Sequence, residues 1–139
     1  MEERFYSCGT CGNLLFATIA SGITPHCCGE EMILLQANQE EEGNADKHMP
    51  VVDEVGCCLL RITVGTQPHP MTEEHCIRFI CVETTLGTII RYLDCDDTPS
   101  VIIQCNGRPK AVYAYCNLHA LWKYTIESCP TREKDNCRI

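Results

Sequence analysis

The sequence predicts a mostly β protein: a small cysteine-rich metal-binding segment, then an antiparallel sandwich or barrel. Three observations carry this. From about Val55 onward the apolar residues fall in short runs rich in β-branched side chains, with Gly, Pro, Asp and Asn between them. No segment of about twelve residues carries the apolar stripe of a helix. Cys8, Cys11, Cys27 and Cys28 all stand in an opening stretch that has little else with which to build a core.

That stretch, residues 1–36, has only short apolar pieces: Phe5-Tyr6, Leu14-Leu15-Phe16 and Ile33-Leu34-Leu35. A metal crosslink supplies the stability they lack. Residues 37–46 contain no large apolar side chain and run through Glu40-Glu41-Glu42, so they read as an acidic, solvated linker. The main domain follows at residues 47–129. Val55–Val64 is its first β-rich run. His75–Thr85 alternates, with Cys76, Arg78, Ile80 and Val82 on one parity. Gly87 opens the next run, TIIRYLDC. Val101–Cys105, Ala111–Cys116 and Leu121–Ile126 complete the set. Residues 130–139 are a polar tail expected to fray.

The composition narrows the function classes. Hydrophobic residues are 45% and charged residues 22%, which suits a globular chain rather than a disordered one. The net charge of −8 opposes a nonspecific grip on nucleic acid. No run of 18 apolar residues offers a membrane span. Met1-Glu2-Glu3-Arg4 does not resemble a signal peptide, so a reducing cytoplasm is expected. There, 13 cysteines point to metal rather than disulfides, and an odd count forbids complete internal pairing.

Cys8-Gly9-Thr10-Cys11-Gly12 is a metal-binding knuckle, whose glycine allows the tight turn that aims N–H groups at sulfur. Cys27-Cys28-Gly29 supplies a second pair. Four thiolates suit tetrahedral zinc or iron. A redox C-x-x-C is the competing reading, but the βαβ context of such motifs is absent.

The second candidate site comprises His48, His69, His75, Cys116 and His119. A single histidine near a strand is more often a satisfied polar group than a ligand. These stand together at strand ends and loops: His69 between Pro68 and Pro70, His75 opening a strand, Cys116 and His119 spaced as C-x-x-H after one. Neutral imidazoles leave the charge of a divalent ion intact, and a thiolate pushes electron density through it. Zinc rarely takes five such ligands, whereas iron does and can also change oxidation state. An electron-donating ferrous centre is expected rather than a hydrolytic one.

Five blocks carry a resemblance: CGTCGN at Cys8–Asn13, CCGE at Cys27–Glu30, DKHMPVV at Asp46–Val52, VGTQPHPMTEEH at Val64–His75 and CNLHALW at Cys116–Trp122. Together they resemble desulfoferrodoxin, the two-iron superoxide reductase family, over about residues 4–126. The resemblance implies a desulforedoxin-like domain with iron on Cys8, Cys11, Cys27 and Cys28. It implies an immunoglobulin-like, seven-stranded antiparallel β-sandwich as the second domain. There, iron has His48, His69, His75 and His119 as equatorial ligands and Cys116 as the axial one. The implied activity is one-electron reduction of superoxide to hydrogen peroxide, in a cytoplasmic homodimer re-reduced by an electron-transfer protein such as rubredoxin. Neither nucleic acid nor membrane is an expected partner.

Lys47 is the expected local cation that attracts superoxide to an otherwise acidic chain. Asp46 stands where the family usually has Glu, whose carboxylate closes the sixth position after oxidation; one methylene less shortens that reach. Ala120 stands where the family commonly has Gly, which a methyl tolerates if the backbone there is not left-handed. Eight further cysteines are unexpected: Cys57, Cys58, Cys76, Cys81, Cys95, Cys105, Cys129 and Cys137. Most are expected to be small core fillers, with Cys129 and Cys137 reactive near the tail. Two other classes compete with the enzyme: a non-catalytic iron electron-transfer protein and a zinc-stapled binding protein. Metal content and a visible spectrum separate the three.

Overall fold

The structure is a computed structural model and describes residues 4–39, 45–67 and 69–127. The polar tail, Cys129, Cys137, the middle of the acidic linker and Pro68 lie outside the described residues. Two compact units form, Met1–Gln39 and Glu40–Ile139.

In the first unit, β1 (Phe5–Ser7) pairs antiparallel with β2 (Leu14–Phe16) on one side. On its other side β1 pairs with β5 (Ile33–Leu34). Between them β3 (His26–Cys27) and β4 (Glu30–Glu31) make a two-stranded hairpin. Its turn is Cys28-Gly29, both with positive φ (55° and 77°). That backbone is the one whose twist matches a two-residue hairpin, and it requires a glycine-tolerant second position. The only buried hydrophobic side chains described here are Phe5, Cys8 and Met32. Phe5 packs on Phe16 at 5.1 Å between ring centroids. A core this thin is what the expected metal staple requires.

The second unit begins with a single helical turn, α1 (Ala45–His48). Seven strands follow among the described residues, in two antiparallel sheets. One has the order β10-β7-β6, from β6 (Pro50–Gly56), β7 (Leu59–Val64) and β10 (Ser100–Gln104). The other has the order β12-β11-β8-β9, from β8 (Ile77–Thr84), β9 (Gly87–Tyr92), β11 (Pro109–Cys116) and β12 (Ala120–Thr125). The expected mostly β architecture is therefore present. Leu60, Ile62, Val64 and Ile103 of the first sheet and Ile77, Ile80, Val82, Val112 and Ala114 of the second share one buried core. Each fully buried Ile or Leu contributes about 2 kcal/mol of transfer free energy.

Three local expectations change. Val55–Val64 is not one strand: Cys57-Cys58 is a turn that joins β6 to β7, with Gly56 opposite Leu59. Nor does β8 alternate in burial: Ile80 and Val82 enter the shared core, while Phe79 and Cys81 are buried on the other parity, where Phe79 stacks on Tyr115 at 5.4 Å. Third, the surplus cysteines divide. Cys58, Cys76, Cys81 and Cys105 are buried as expected, but Cys57 is exposed and disulfide-bonded, and Cys95 is half-buried in a turn.

Among the described residues no helix is long and apolar enough to cross a membrane.

Candidate metal centres

The first cluster brings Cys8, Cys11, Cys27 and Cys28 together, with all four sulfurs within 4.8 Å of one another. The knuckle closes by Gly12 N–H donating to the Cys8 carbonyl at 3.1 Å, with Gly12 at φ +79°. The Cys11 N–H donates to Cys8 Sγ at 3.4 Å, and the Asn13 amide donates to Cys27 Sγ at 3.7 Å. Backbone N–H groups of Cys11 and Thr10 lower the Cys8 thiol to about 6. Cys28, crowded by Cys11 and Cys27, is raised to about 12. Four sulfurs this close cannot all be thiolates without a cation among them, so the donor set fits a resident metal ion.

The second cluster is assembled at one end of the sandwich. His48 ends α1. His69 and His75 lie on the connection from β7 to β8, and Cys116 ends β11. His119 sits on the three-residue loop to β12. Ligand atoms of His48, His75, Cys116 and His119 lie within 4.8 Å of one another. His69 completes the set, its ring centroid 4.6 Å from those of both His48 and His75. His75 to His119 is 4.9 Å and His119 to His48 is 4.6 Å, while the His48–His75 diagonal is 6.2 Å. The four imidazoles thus stand at the corners of a near-square. Adjacent rings are steeply inclined, at 63° to 78°.

Donor atoms can be assigned. His69 Nδ1 is 2.6 Å from the Pro70 carbonyl, which can only accept, so the proton is on Nδ1 and Nε2 carries the lone pair. That Nε2 is buried and, among the described residues, has no hydrogen-bond partner. Burial lowers His69 to about 4, which keeps it in the neutral, metal-binding form above that pH. His119 presents Nδ1, 3.2 Å from His75 Nε2 and 3.7 Å from Cys116 Sγ. A buried imidazole nitrogen aimed at other donors fits a metal ion at their centre.

Residues outside the ligand set hold this geometry. Trp122 stacks on His48 at 5.0 Å and 17°, and its Nε1–H donates to the His119 carbonyl at 3.1 Å. The Asn117 side chain accepts from Cys76 N–H at 2.9 Å and donates to the Glu74 carbonyl at 3.0 Å, tying the His119 loop to the His75 segment. Thr72 Oγ1 accepts from His75 N–H at 3.1 Å. No role was expected for Trp122 or Asn117, although both stand inside CNLHALW and an indole beside a C-x-x-H is a usable signal. A bulge between β8 and β11 also matters: Tyr115 pairs with Phe79 but Cys116 with Ile77, which leaves Arg78 extra and turns the strand end toward the cluster.

Asp46 and Lys47 are exposed on α1. The Asp46 carbonyl accepts from Thr66 N–H at 2.8 Å and Gln67 N–H at 3.1 Å, which seats the His69 loop on the helix. Burial lowers His75 first, then the charges of His119 and Lys47, so Lys47 lies within electrostatic reach of the cluster.

Ala120 departs from the condition set for it: its φ is +61°, in the left-handed region. Ala120→Gly is expected to raise the unfolding free energy by about 1 kcal/mol, because an L-residue pays a steric penalty there that glycine does not. A higher denaturant midpoint at unchanged slope would show it; a lower midpoint would contradict it.

The sequence pattern of the Desulfoferrodoxin family matches residues 40–125. A desulfoferrodoxin from Nitratidesulfovibrio vulgaris is 32% identical over 122 residues, covering 88% of this chain and 95% of the relative. A desulfoferrodoxin homolog from Methanothermobacter thermautotrophicus is 34% identical over 123 residues, covering 86% and 96%. Among solved structures, the superoxide reductase from Treponema pallidum superposes with a TM-score of 0.73 at 28% identity, covering 89% of this chain and 98% of that one. With two clusters of ligand side chains and near full-length agreement in sequence and fold, the chain belongs to the desulfoferrodoxin family.

Proposed function

We infer that the chain is a superoxide reductase, which reduces superoxide by one electron to hydrogen peroxide at the histidine-rich centre. The observation that carries this is the near-square of four imidazoles with the Cys116 sulfur 3.7 Å from His119 Nδ1. His48, His69, His75, His119 and Cys116 would hold iron, and Cys8, Cys11, Cys27 and Cys28 a second iron. Iron held by the first of these sets would supply one-electron reducing chemistry. Cys116 is fully buried, which keeps its sulfur from solvent and oxidant. His48 and His69 are buried too, whereas His75 and His119 are partly exposed, so the small anion would approach on their side.

Lys47 attracts that anion and offsets the charge that builds on it as it is reduced. Its supporting observation is its place, exposed on the helical turn that ends in the buried ligand His48. Lys47→Ala should lower the second-order rate with superoxide by about ten-fold, and salt should slow the parent chain more than the variant. Pulse radiolysis over a range of ionic strength measures both; an unchanged rate and salt slope would make Lys47 an ordinary surface residue.

Asp46 would act as the closing carboxylate of the oxidised centre, carried on the same helical turn as Lys47 and His48. Asp46→Ala should then leave the first step fast and tighten azide binding to the oxidised protein, with Asp46→Glu weakening it. Equal azide affinity in all three would show that the shorter side chain does not reach.

The same reading proposes residues 1–36 and 47–129 as the two iron domains, a cytoplasmic homodimer, and re-reduction by a small electron-transfer protein of the rubredoxin type. Anaerobic superoxide consumption with iron present and after its removal tests the activity itself; equal rates would refute it.

A further inference from the structure

The ladder between β8 and β11 ends at the Cys116–Ile77 pair. The chain then turns through Asn117, Leu118 and His119 before β12 begins at Ala120. One further rung nevertheless forms. Asn117 N–H donates to the Cys76 carbonyl at 3.2 Å, and Cys76 N–H donates back to the Asn117 side-chain Oδ1 at 2.9 Å. In an antiparallel pair the returning bond goes to a backbone carbonyl. Here the carboxamide takes that place, so the main chain is free to leave the sheet. The same carboxamide donates from Nδ2 to the Glu74 carbonyl at 3.0 Å. Its orientation is fixed by these partners, since the reverse would set NH2 against N–H and oxygen against oxygen.

The two side-chain bonds bracket His75, one on the residue before it and one on the residue after. An asparagine in a turn ordinarily bonds its own backbone a few residues on. Asn117 is exposed, yet Glu74 and Cys76 lie 43 and 41 residues from it along the chain. Between the two loops stand the partly exposed imidazoles, with His119 Nδ1 3.2 Å from His75 Nε2. The turn from Thr72 to His75, closed by Thr72 N–H donating to the His75 carbonyl at 2.9 Å, is local. It shapes the His75 backbone without setting its distance from His119. Cys76 is fully buried, so removing the carboxamide would strand its N–H away from water.

We propose that Asn117 is a positioning residue, whose carboxamide holds His75 and His119 at the separation that lets both reach one metal ion. Its bonds go to the backbone of Glu74 and Cys76 and to no ligand atom, so it acts through the chain on either side of His75. The role needs an acceptor and a donor on one short, planar arm, which asparagine has and alanine lacks. The inference rests on the histidine-rich cluster being one metal site, and not on superoxide being its substrate.

The test uses the full chain, freed of metal by chelation and titrated with cobalt(II), whose visible bands report coordination geometry. Asn117→Ala should bind cobalt at the histidine-rich site about 10- to 100-fold more weakly, the usual cost of losing a partner just outside the ligands. Its bands at saturation should shift, while the four-cysteine site keeps the parent affinity. Asn117→Gln keeps both groups on a longer arm and should recover part of the loss. Ile103→Val is the control for general stability: it lies in the shared core, on the strand that pairs with β7. It should lower the denaturant midpoint and leave cobalt affinity and bands as in the parent. Parent-like affinity and bands in Asn117→Ala would overturn the proposal. So would an equal loss in Ile103→Val, which would make the effect one of overall stability. A chain in which Asn117→Ala weakens cobalt but the parent consumes no superoxide would support the positioning role and refute the other reading.

Discussion

Cys116→Ser is expected to abolish superoxide turnover, by more than about a hundred-fold, since even a residue that only supports a ligand costs 10- to 100-fold. The serine oxygen is a harder and far weaker donor than a thiolate. Cys116 is fully buried and ends β11, where the bulge against β8 turns it toward the ring of imidazoles. Serine is nearly isosteric, so the fold should persist and the loss should be electronic. The visible absorption that a thiolate gives on oxidised iron should vanish, while the four-cysteine absorption from the first unit remains. Retention of both the colour and the activity would show that Cys116 is not the sulfur donor.

Gly65→Ala carries the second large effect, although Gly65 offers no ligand. Its φ is +85°, and a Cβ there would lie 2.6 Å from the Lys47 carbonyl oxygen and press on the Gln67 carbonyl as well. Both obstacles are backbone, so neither can swing aside. Gly65 N–H also donates to the Met49 carbonyl at 3.0 Å. The loop that bears His69 is thus seated directly on the turn that bears Asp46, Lys47 and His48, and only glycine permits that approach. Adding a methyl is expected to cost about 3 kcal/mol or more and to part His48 from His69. Metal analysis per chain should show the histidine-rich site emptied and the four-cysteine site filled. Full iron at both sites would mean that the loop absorbs the methyl.

The donors were legible in the sequence because their chemistry has few alternatives. A C-x-x-C followed by glycine, and histidines placed beside prolines and at strand ends, mark positions where the backbone is stiff and the side chain must leave the core. What stayed illegible depended on tertiary context. Cys57-Cys58 does not look like a turn, so Val55–Val64 reads as one run, which hides the end of β6 and leaves Pro50–Glu54 unread. The burial of β8 on both parities depends on distant partners such as Tyr115, which stacks on Phe79, and no local pattern records them. In the first unit β3, β4 and β5 are two residues each, too short for any propensity to show; the knuckles hold them instead. Ala120 looked harmless because alanine gives no sign of a left-handed backbone, and φ +61° emerged only with the Cys116–Ala120 pairing. Trp122 gave no sign of a role beyond its place in CNLHALW, yet it is buried with its ring face on His48 and its N–H donating to the His119 carbonyl. Arg78 read as one more residue on an alternating strand, whereas it is the extra residue of the bulge and its guanidinium donates to Cys95 Sγ at 3.6 Å.

The most direct test of the account is product stoichiometry. The iron-loaded chain is mixed with superoxide under an excess of a reductant that does not itself react with it, and peroxide and oxygen are measured together. A reductase yields one peroxide for each superoxide consumed and no oxygen from it, because every electron comes from the donor. Release of oxygen alongside one peroxide for every two superoxides would mean that superoxide itself is the donor, and would contradict the account.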